Sequence, residues 1–561
     1  MVGKLFRVLG KEIGGVHQAA YVLAGFTFLS QILALVRDRM LAHFFGAGST
    51  LDIYYAAFRV PDLVFVSVAS IVSVSVLVPV LSEKLEVSGR EAAKKFLQSL
   101  TSFFLVLIVV FSAILFFLLP FIQPLLFPGF DASETAILVT LSQILLLSPI
   151  LLGLSNILGG INQTMRRFFV YALSPILYNF GIIVGIVFLQ ETYGIAGVVY
   201  GVVFGAALHL LAQIPFVVRS GLFPTPTIQI YFKEVWQVLV HSLPRTLTLG
   251  STHITLLVLI AIASTMTEGS IAVFNFSFNL QSVPLAIIGV SYSLAAFPTL
   301  SRLYSSGKVD EYVADIVAAS RHIIFWSLPI IGLFVVLRAQ IVRVILGSGS
   351  FDWSDTRLTA AALAFFVISV VFQSLTLLFV RGFYAAQKTK IPFFVNLFST
   401  GLTIVLAFVL VNLFHSSEMF AYFIESLLRI SDIPGTEVVM LAFAFALGAS
   451  FNSLCLVYIF RSKFHFECKA LLEGFFRSSA TAVSVGVVAY IMLSIVVHVF
   501  DTQTLMGIFL QGFISGMAGL GVGYFLLKAL GSVELEEIET ALSRKFKKVA
   551  GVIAPEQDVI S

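Results

Sequence analysis

Six ionisable side chains stand where a lipid-facing helix would carry none: Arg37, Asp38, Arg39, Asp52, Arg59 and Asp62, all inside the apolar stretch 26–83. A charge at the bilayer centre costs from about 2.5 kcal/mol on insertion scales to more than 10 in simulations, so such residues normally face a protein interior or a wet cavity. An anionic group drawn into a space of low dielectric needs fixed positive charge and donors, and arginine offers a planar fork that suits such a group. Arg37 and Arg59, with Arg245 of the sequence LPRTL, could supply that, while Asp38 would hold the neighbouring guanidiniums when the space is empty. Structural readings stand beside these. Arg37 and Asp38 could lock helices as an ion pair, Arg39 could snorkel or pair, Arg59 could partner Asp52 or Asp62, and Arg245 could mark a helix end.

The elements that must position these groups are two long apolar helices joined at GAGST, residues 46–50. Gly46 and Gly48 would permit a tight turn and close helix approach, either as a gate or as a plain turn, and Asp52 is expected to cap the second helix. Pro61, Pro175, Pro244 and Pro284 fall inside apolar runs and predict local kinks.

Composition fixes the class. Of 561 residues 58% are hydrophobic and 11% charged, and the mean hydropathy is +1.01. The runs are apolar on all sides and too long for the alternating strands of a barrel, which predicts an all-α polytopic membrane protein of about fourteen spans. Cys455 and Cys468 give neither a disulfide framework nor a paired-cysteine metal site, and His465, Glu467 and Cys468 read as a solvated loop. The N-terminal MVGKLFRVLGKEIGG lacks the apolar core of a cleavable signal.

Loop charge orders the spans. Lys84, Arg90, Lys94 and Lys95, then Arg166 and Arg167, Arg219 and Lys233, Arg302 and Lys308, Lys388 and Lys390, and Arg461, Lys463 and Lys469 fall in alternate connections, with Arg544, Lys545, Lys547 and Lys548 in the tail. The intervening stretches GAGST, FPGFDASE, QETYG, TMTEGS, GSGSFDWSD and HVFDTQT carry no Lys or Arg, and the longest, 415–437, has one, Arg429. That asymmetry predicts cytoplasmic termini at both ends.

The chain also repeats. VPVLSE from Val78 recurs as FPTLSR from Phe297, and LGGINQTMRRFF from Leu158 more faintly as VRGFYAAQKTKI from Val380, at nearly equal separation. Six spans lie between equivalent points, so two lobes of like orientation are expected, with a substrate path between them. We expect an N-lobe at 1–222, a C-lobe at 223–466, two extra spans at 467–530 and a cytoplasmic tail at 531–561. Residues 418–433, with Phe420, Phe423, Ile424, Leu427 and Leu428 on one side, and residues 533–549, with Leu535, Ile538 and Leu542, predict surface-lying amphipathic helices, as a lid or tail packed on its own bundle or as a sensor of lipid headgroups.

The stretch SQILALVRDRMLAHFFGAGSTLDIYYAAFRVPDL resembles the opening helices of the MurJ (MviN) lipid II flippases, whose pattern there is approximately SRxLGxxRDxxxAxxFGAGxxxDAFxxAFxxPNxL. Ser30, Arg37, Asp38, Ala42, Phe45, Gly46, Ala47, Gly48, Asp52, Ala57, Phe58, Pro61 and Leu63 fall on it in register. The resemblance extends over essentially the whole chain and places it in the multidrug, oligosaccharidyl-lipid and polysaccharide exporter superfamily. It implies a flippase of the bacterial cytoplasmic membrane that moves the undecaprenyl-diphosphate-linked peptidoglycan precursor outward by alternating access. It also implies the lipid bilayer and cell-wall synthesis proteins as partners, with no cofactor and no nucleic acid. Gln31, Phe65, Val66 and Asn279 stand where the family carries arginines thought to serve the diphosphate.

No Walker, HExxH or Gly-x-Ser-x-Gly element is present, which argues against ATP hydrolysis and hydrolytic chemistry. Three alternatives stay open: export of another lipid-linked oligosaccharide, cation-coupled export of small solutes, and a noncatalytic scaffold for wall synthesis. No Asp or Glu falls inside the seventh or later spans, which weighs against the cation-coupled exporter.

Overall fold

The computed structural model describes residues 16–69 and 74–549; inside its helices the side chains of 16–21, 69, 74–76, 233, 237–245, 247–249, 541, 542 and 544–549 are not described. No strand occurs among the described residues. Hydrocarbon offers no partner to a backbone amide, so apolar runs of this length satisfy their own hydrogen bonds as helices. Among the described residues eleven helices are long and apolar enough to cross a membrane, from Gly89–Leu126 to Leu505–Ala529, against the fourteen spans expected from the sequence. Further helices cover apolar stretches outside that set: Val16–Phe45, which carries Arg37, Asp38 and Arg39; Ser49–Ala57, Arg59–Val64 and Val74–Val87; and Phe232–Ser264.

Two compact units form. One comprises Met1–Leu280, Ile345–Ala362 and Thr389–Gly448; the other comprises Gln281–Val344, Leu363–Lys388 and Ala449–Ser561. In the first, Leu77, Leu81, Phe96, Phe104, Ile157 and Leu158 build a core around the second, third and fourth expected spans. Helices Phe168–Val184 and Ile195–Leu211 meet at glycines: a Cβ on Gly181 would lie 2.2 Å from the Gly205 Cα. Without a hydrophobic driving force between helices in lipid, small residues that let backbones approach supply the packing. In the second unit, Lys469–Val496 and Leu505–Ala529 form a hairpin, and the tail helix Val533–Val549 is fastened by Glu534 to Arg321 at 2.8 Å and by a small core of Phe325, Leu527 and Leu535. The segment 533–549 is therefore helical.

Single turns of π-helix occur at Phe65–Ala69, Gly185–Leu189 and Ala286–Val290. The first and third occupy nearly matching places in the internal repeat, the first shortly after Pro61 and the third shortly after Pro284. A widened turn at such a place loosens the helical ladder where a span must bend.

Candidate functional site

Neutral amides hold the ionised residues of the first helix. Arg37 directs Nε and Nη2 onto Asp38 Oδ1 at 2.9 and 2.7 Å, and Nη1 onto Asn179 Oδ1 at 3.1 Å. The second oxygen of Asp38 accepts from Asn279 Nδ2 at 3.0 Å. Asn179 donates onward to Ser30 Oγ at 3.3 Å and to the Pro175 carbonyl at 3.2 Å. One ion pair therefore joins Val16–Phe45, Phe168–Val184 and Ser270–Leu285. Asp38 is almost fully buried, with 4% of its side chain exposed against 20% for Arg37. A pair so placed persists because both carboxylate oxygens are satisfied; either partner alone would be a costly buried charge.

Arg59 reaches the same helix. Its Nη2 donates to Asn275 Oδ1, while Asn275 anchors its own amide on the Ile271 carbonyl at 2.8 Å. Residues four apart share a helix face, so Asn275 and Asn279 receive Arg59 and the Arg37–Asp38 pair one turn from each other. Buried Arg59 Nε has no hydrogen-bond partner among the described residues. Arg59 thus hydrogen-bonds a neutral amide, while Asp62 attracts it electrostatically.

Asp52 is committed elsewhere. Its Oδ2 and Oδ1 accept from the backbone N–H groups of Gly269 and Ala272, each at 2.7 Å, so it caps the start of Ser270–Leu285. The expectation that Asp52 caps the second helix is corrected: that helix starts after Gly48, and Glu268 rather than Asp52 accepts from its first N–H, that of Ser49. A carboxylate at a foreign helix start satisfies orphan donors and complements the positive end of the helix dipole.

The GAGST turn lies within a ring of such contacts. Ala47 N–H donates to Asp355 at 3.2 Å and Ser49 N–H to Glu268 at 2.9 Å, and the Ser49 hydroxyl bonds Glu134. Gly46 has φ +65°, and a Cβ there would sit 2.7 Å from the Ser350 carbonyl oxygen. Gly269 is tighter still, with φ +88° and a Cβ position 2.1 Å from the Ala47 oxygen. Gly48 is different, being extended with its nearest neighbour at 3.5 Å, so glycine is required at Gly46 and not at Gly48. Segments distant in sequence are thereby closed on one another at this end of the helices.

Arg39 donates to the Ile345 carbonyl at 3.2 Å, at the C-terminal end of Val309–Ile345, where a cation offsets the negative helix end. The Arg245 side chain lies outside the described residues. Sequence reasoning missed Asn179, Asn275, Glu134, Glu268 and Asp355. A pair of amides four apart in a membrane span was the available signal for Asn275 and Asn279.

A sequence model of the family "Lipid II flippase MurJ" matches residues 41–511. The chain belongs to the MurJ lipid II flippase family. Among MurJ relatives, the probable lipid II flippase of Thermotoga maritima is 30% identical over 389 residues, covering 68% of this chain and 77% of its own. The flippase of Burkholderia cenocepacia is 25% identical over 386 residues, covering 67% and 74%. A solved MurJ in an inward closed conformation superposes with TM-score 0.71 at 21% identity, over 91% of this chain and 99% of that one. An inward-facing MATE family multidrug transporter superposes at TM-score 0.61 and 16% identity, over 82% and 98%. The fold is that of MurJ and, more distantly, of MATE carriers.

Proposed function

We propose that this MurJ family member flips lipid II, the undecaprenyl-diphosphate-linked peptidoglycan precursor, from the inner to the outer leaflet by alternating access between two lobes. The observation that carries the reading is the gathering of Arg37, Asp38 and Arg59 on the Asn275 and Asn279 face of one helix in a chain of this family. Guanidiniums held by amides keep donors that a diphosphate can take over, because exchanging one neutral hydrogen bond for a charge-assisted one is favourable. The carboxylate ring around GAGST supports a resting form shut at that end, and the loop charges favour that end lying outside the cytoplasm. The same charges support cytoplasmic termini and a cytoplasmic-membrane location, with wall-synthesis proteins as neighbours. Inside-negative potential can drive the cycle, since each charge crossing 100 mV is worth about 2.3 kcal/mol.

Gln31, Phe65, Val66 and Asn279 in place of the family arginines favour a second reading, that the lipid-linked substrate is a different one. Expression in cells depleted of their own precursor flippase tests both. Rescue of growth supports lipid II transport; failure with intact insertion into the membrane favours a changed substrate or a scaffold.

A further inference from the structure

We propose that the helix Glu418–Leu428 is a membrane-interfacial anchor, seated in the leaflet at the GAGST end and bracing the closure there. Its apolar arc is broader than the surface it buries. Ile424 and Leu428 are buried in the protein, whereas Met419, Tyr422, Phe423 and Leu427 are 83, 69, 60 and 59% exposed. These four follow helical spacing and form one continuous outward stripe. Such a stripe needs an apolar neighbour.

That neighbour is lipid. The helix follows directly on the span Lys390–Ser416, whose Val405, Phe408, Val409 and Leu413 are exposed apolar residues of a membrane-crossing element, so the stripe continues a lipid-facing surface. The helix has no Lys or Arg, and its Glu425 is turned inward onto Thr436 Oγ1 at 2.6 Å. Attraction to anionic headgroups is therefore not what seats it; apolar insertion is, with Tyr422 suited to the headgroup level.

The helix is also held rigidly at both ends. Ser417 caps its start, Arg429 ends it with φ +60°, and Arg357 forks onto Asp432 at 2.7 and 2.5 Å while also bonding the Arg429 carbonyl. From Glu425 the connection runs through Thr436 and Glu437 to Thr267, whose hydroxyl and N–H donate to Glu437 at 2.9 and 3.2 Å. Thr267 adjoins Glu268, the acceptor of Ser49 N–H, and Gly269, which Asp52 caps. A helix seated in lipid is thus joined through short hydrogen-bonded steps to the GAGST turn. That this brace serves transport rests on the flippase reading; its seating in lipid does not.

The test uses the full chain in nanodiscs, with Trp236, Trp326 and Trp353 replaced by Phe and a single probe introduced as Phe423→Trp, or as Tyr422→Trp should the first not fold. The expected result is quenching by brominated phospholipid comparable to that of Phe408→Trp, with protection from aqueous iodide. Iodide quenching equal to that of a Ser431→Trp control would overturn the proposal. So would protection from both quenchers, which would mean a protein partner or second copy covers the stripe. For the brace, Phe423→Glu should raise amide exchange of residues 46–52 several-fold; unchanged exchange there would remove that half of the proposal.

Discussion

Asn279 donates its side-chain amide to Asp38 Oδ2 at 3.0 Å, from a position where the resemblance puts an arginine. A neutral donor there leaves Arg37 as the cation that Asp38 bonds among the described residues, so the pair is balanced before substrate arrives. The residue that marked a departure from the family is thus part of the cluster itself.

Removing that donor should be felt in stability. Asn279→Leu strands a buried carboxylate oxygen and is expected to cost about 1–3 kcal/mol, read as a lowered unfolding temperature in detergent. Asp38→Ala, which leaves Arg37 buried without its counter-charge, should cost more, about 3–5 kcal/mol. The double variant Arg37→Met with Asp38→Leu should recover most of the loss.

At the GAGST end, two glycines give opposite expectations. Gly269→Ala forces a Cβ to 2.1 Å from the Ala47 oxygen at φ +88° and should destabilise by about 1–3 kcal/mol. Gly48→Ala, extended with its nearest neighbour at 3.5 Å, should leave thermal unfolding unchanged. Equal effects of the two substitutions would contradict the described closure.

Asp52→Ala removes both acceptors at the start of Ser270–Leu285 and should cost about 0.5–2 kcal/mol, the usual range for losing a helix cap. Amide exchange should rise at Gly269 and Ala272, whose N–H groups it binds, and not at the start of the second helix.

The tail helix should release in acid. Burial pushes the Glu534 carboxyl up, but its own backbone amide, the Ser532 hydroxyl and the Arg321 guanidinium outweigh this and hold it below the ordinary 4.5. A carboxylate whose folded value is depressed contributes fully above its unfolded value and loses that contribution as pH falls through the folded one. A spin label at exposed Glu536 should therefore stay immobile from neutral pH down to about 4.5 and become mobile below it. With Glu534→Gln it should be mobile throughout.

Much of this architecture was legible in the chain because lipid imposes one solution on an apolar run: hydropathy located the spans. The charges of the first helix pair were equally legible, because an ionised residue in a span must have a protein or water partner. Their partners were not. Asn179, Asn275 and Asn279 are neutral, so no charge rule points to them, and Asp52 serves a helix 218 residues onward, at Ser270. Local capping rules assign a carboxylate to the helix beside it, and only tertiary packing reveals that it caps another. The amphipathic segment at 418–433 read as one apolar face; the structure divides that face between protein and exterior, which spacing alone does not distinguish.

Headgroup translocation in vesicles containing defined lipid-linked sugars tests the central claim most directly, comparing the parent with Arg59→Gln and Arg37→Ala under an inside-negative potential. The account predicts movement of lipid II by the parent and a loss of about tenfold or more in both variants, since one charge-assisted contact is worth about 1.5–3 kcal/mol. Flux in Arg59→Gln equal to that of the parent, or no lipid II movement by a correctly inserted parent, would contradict it.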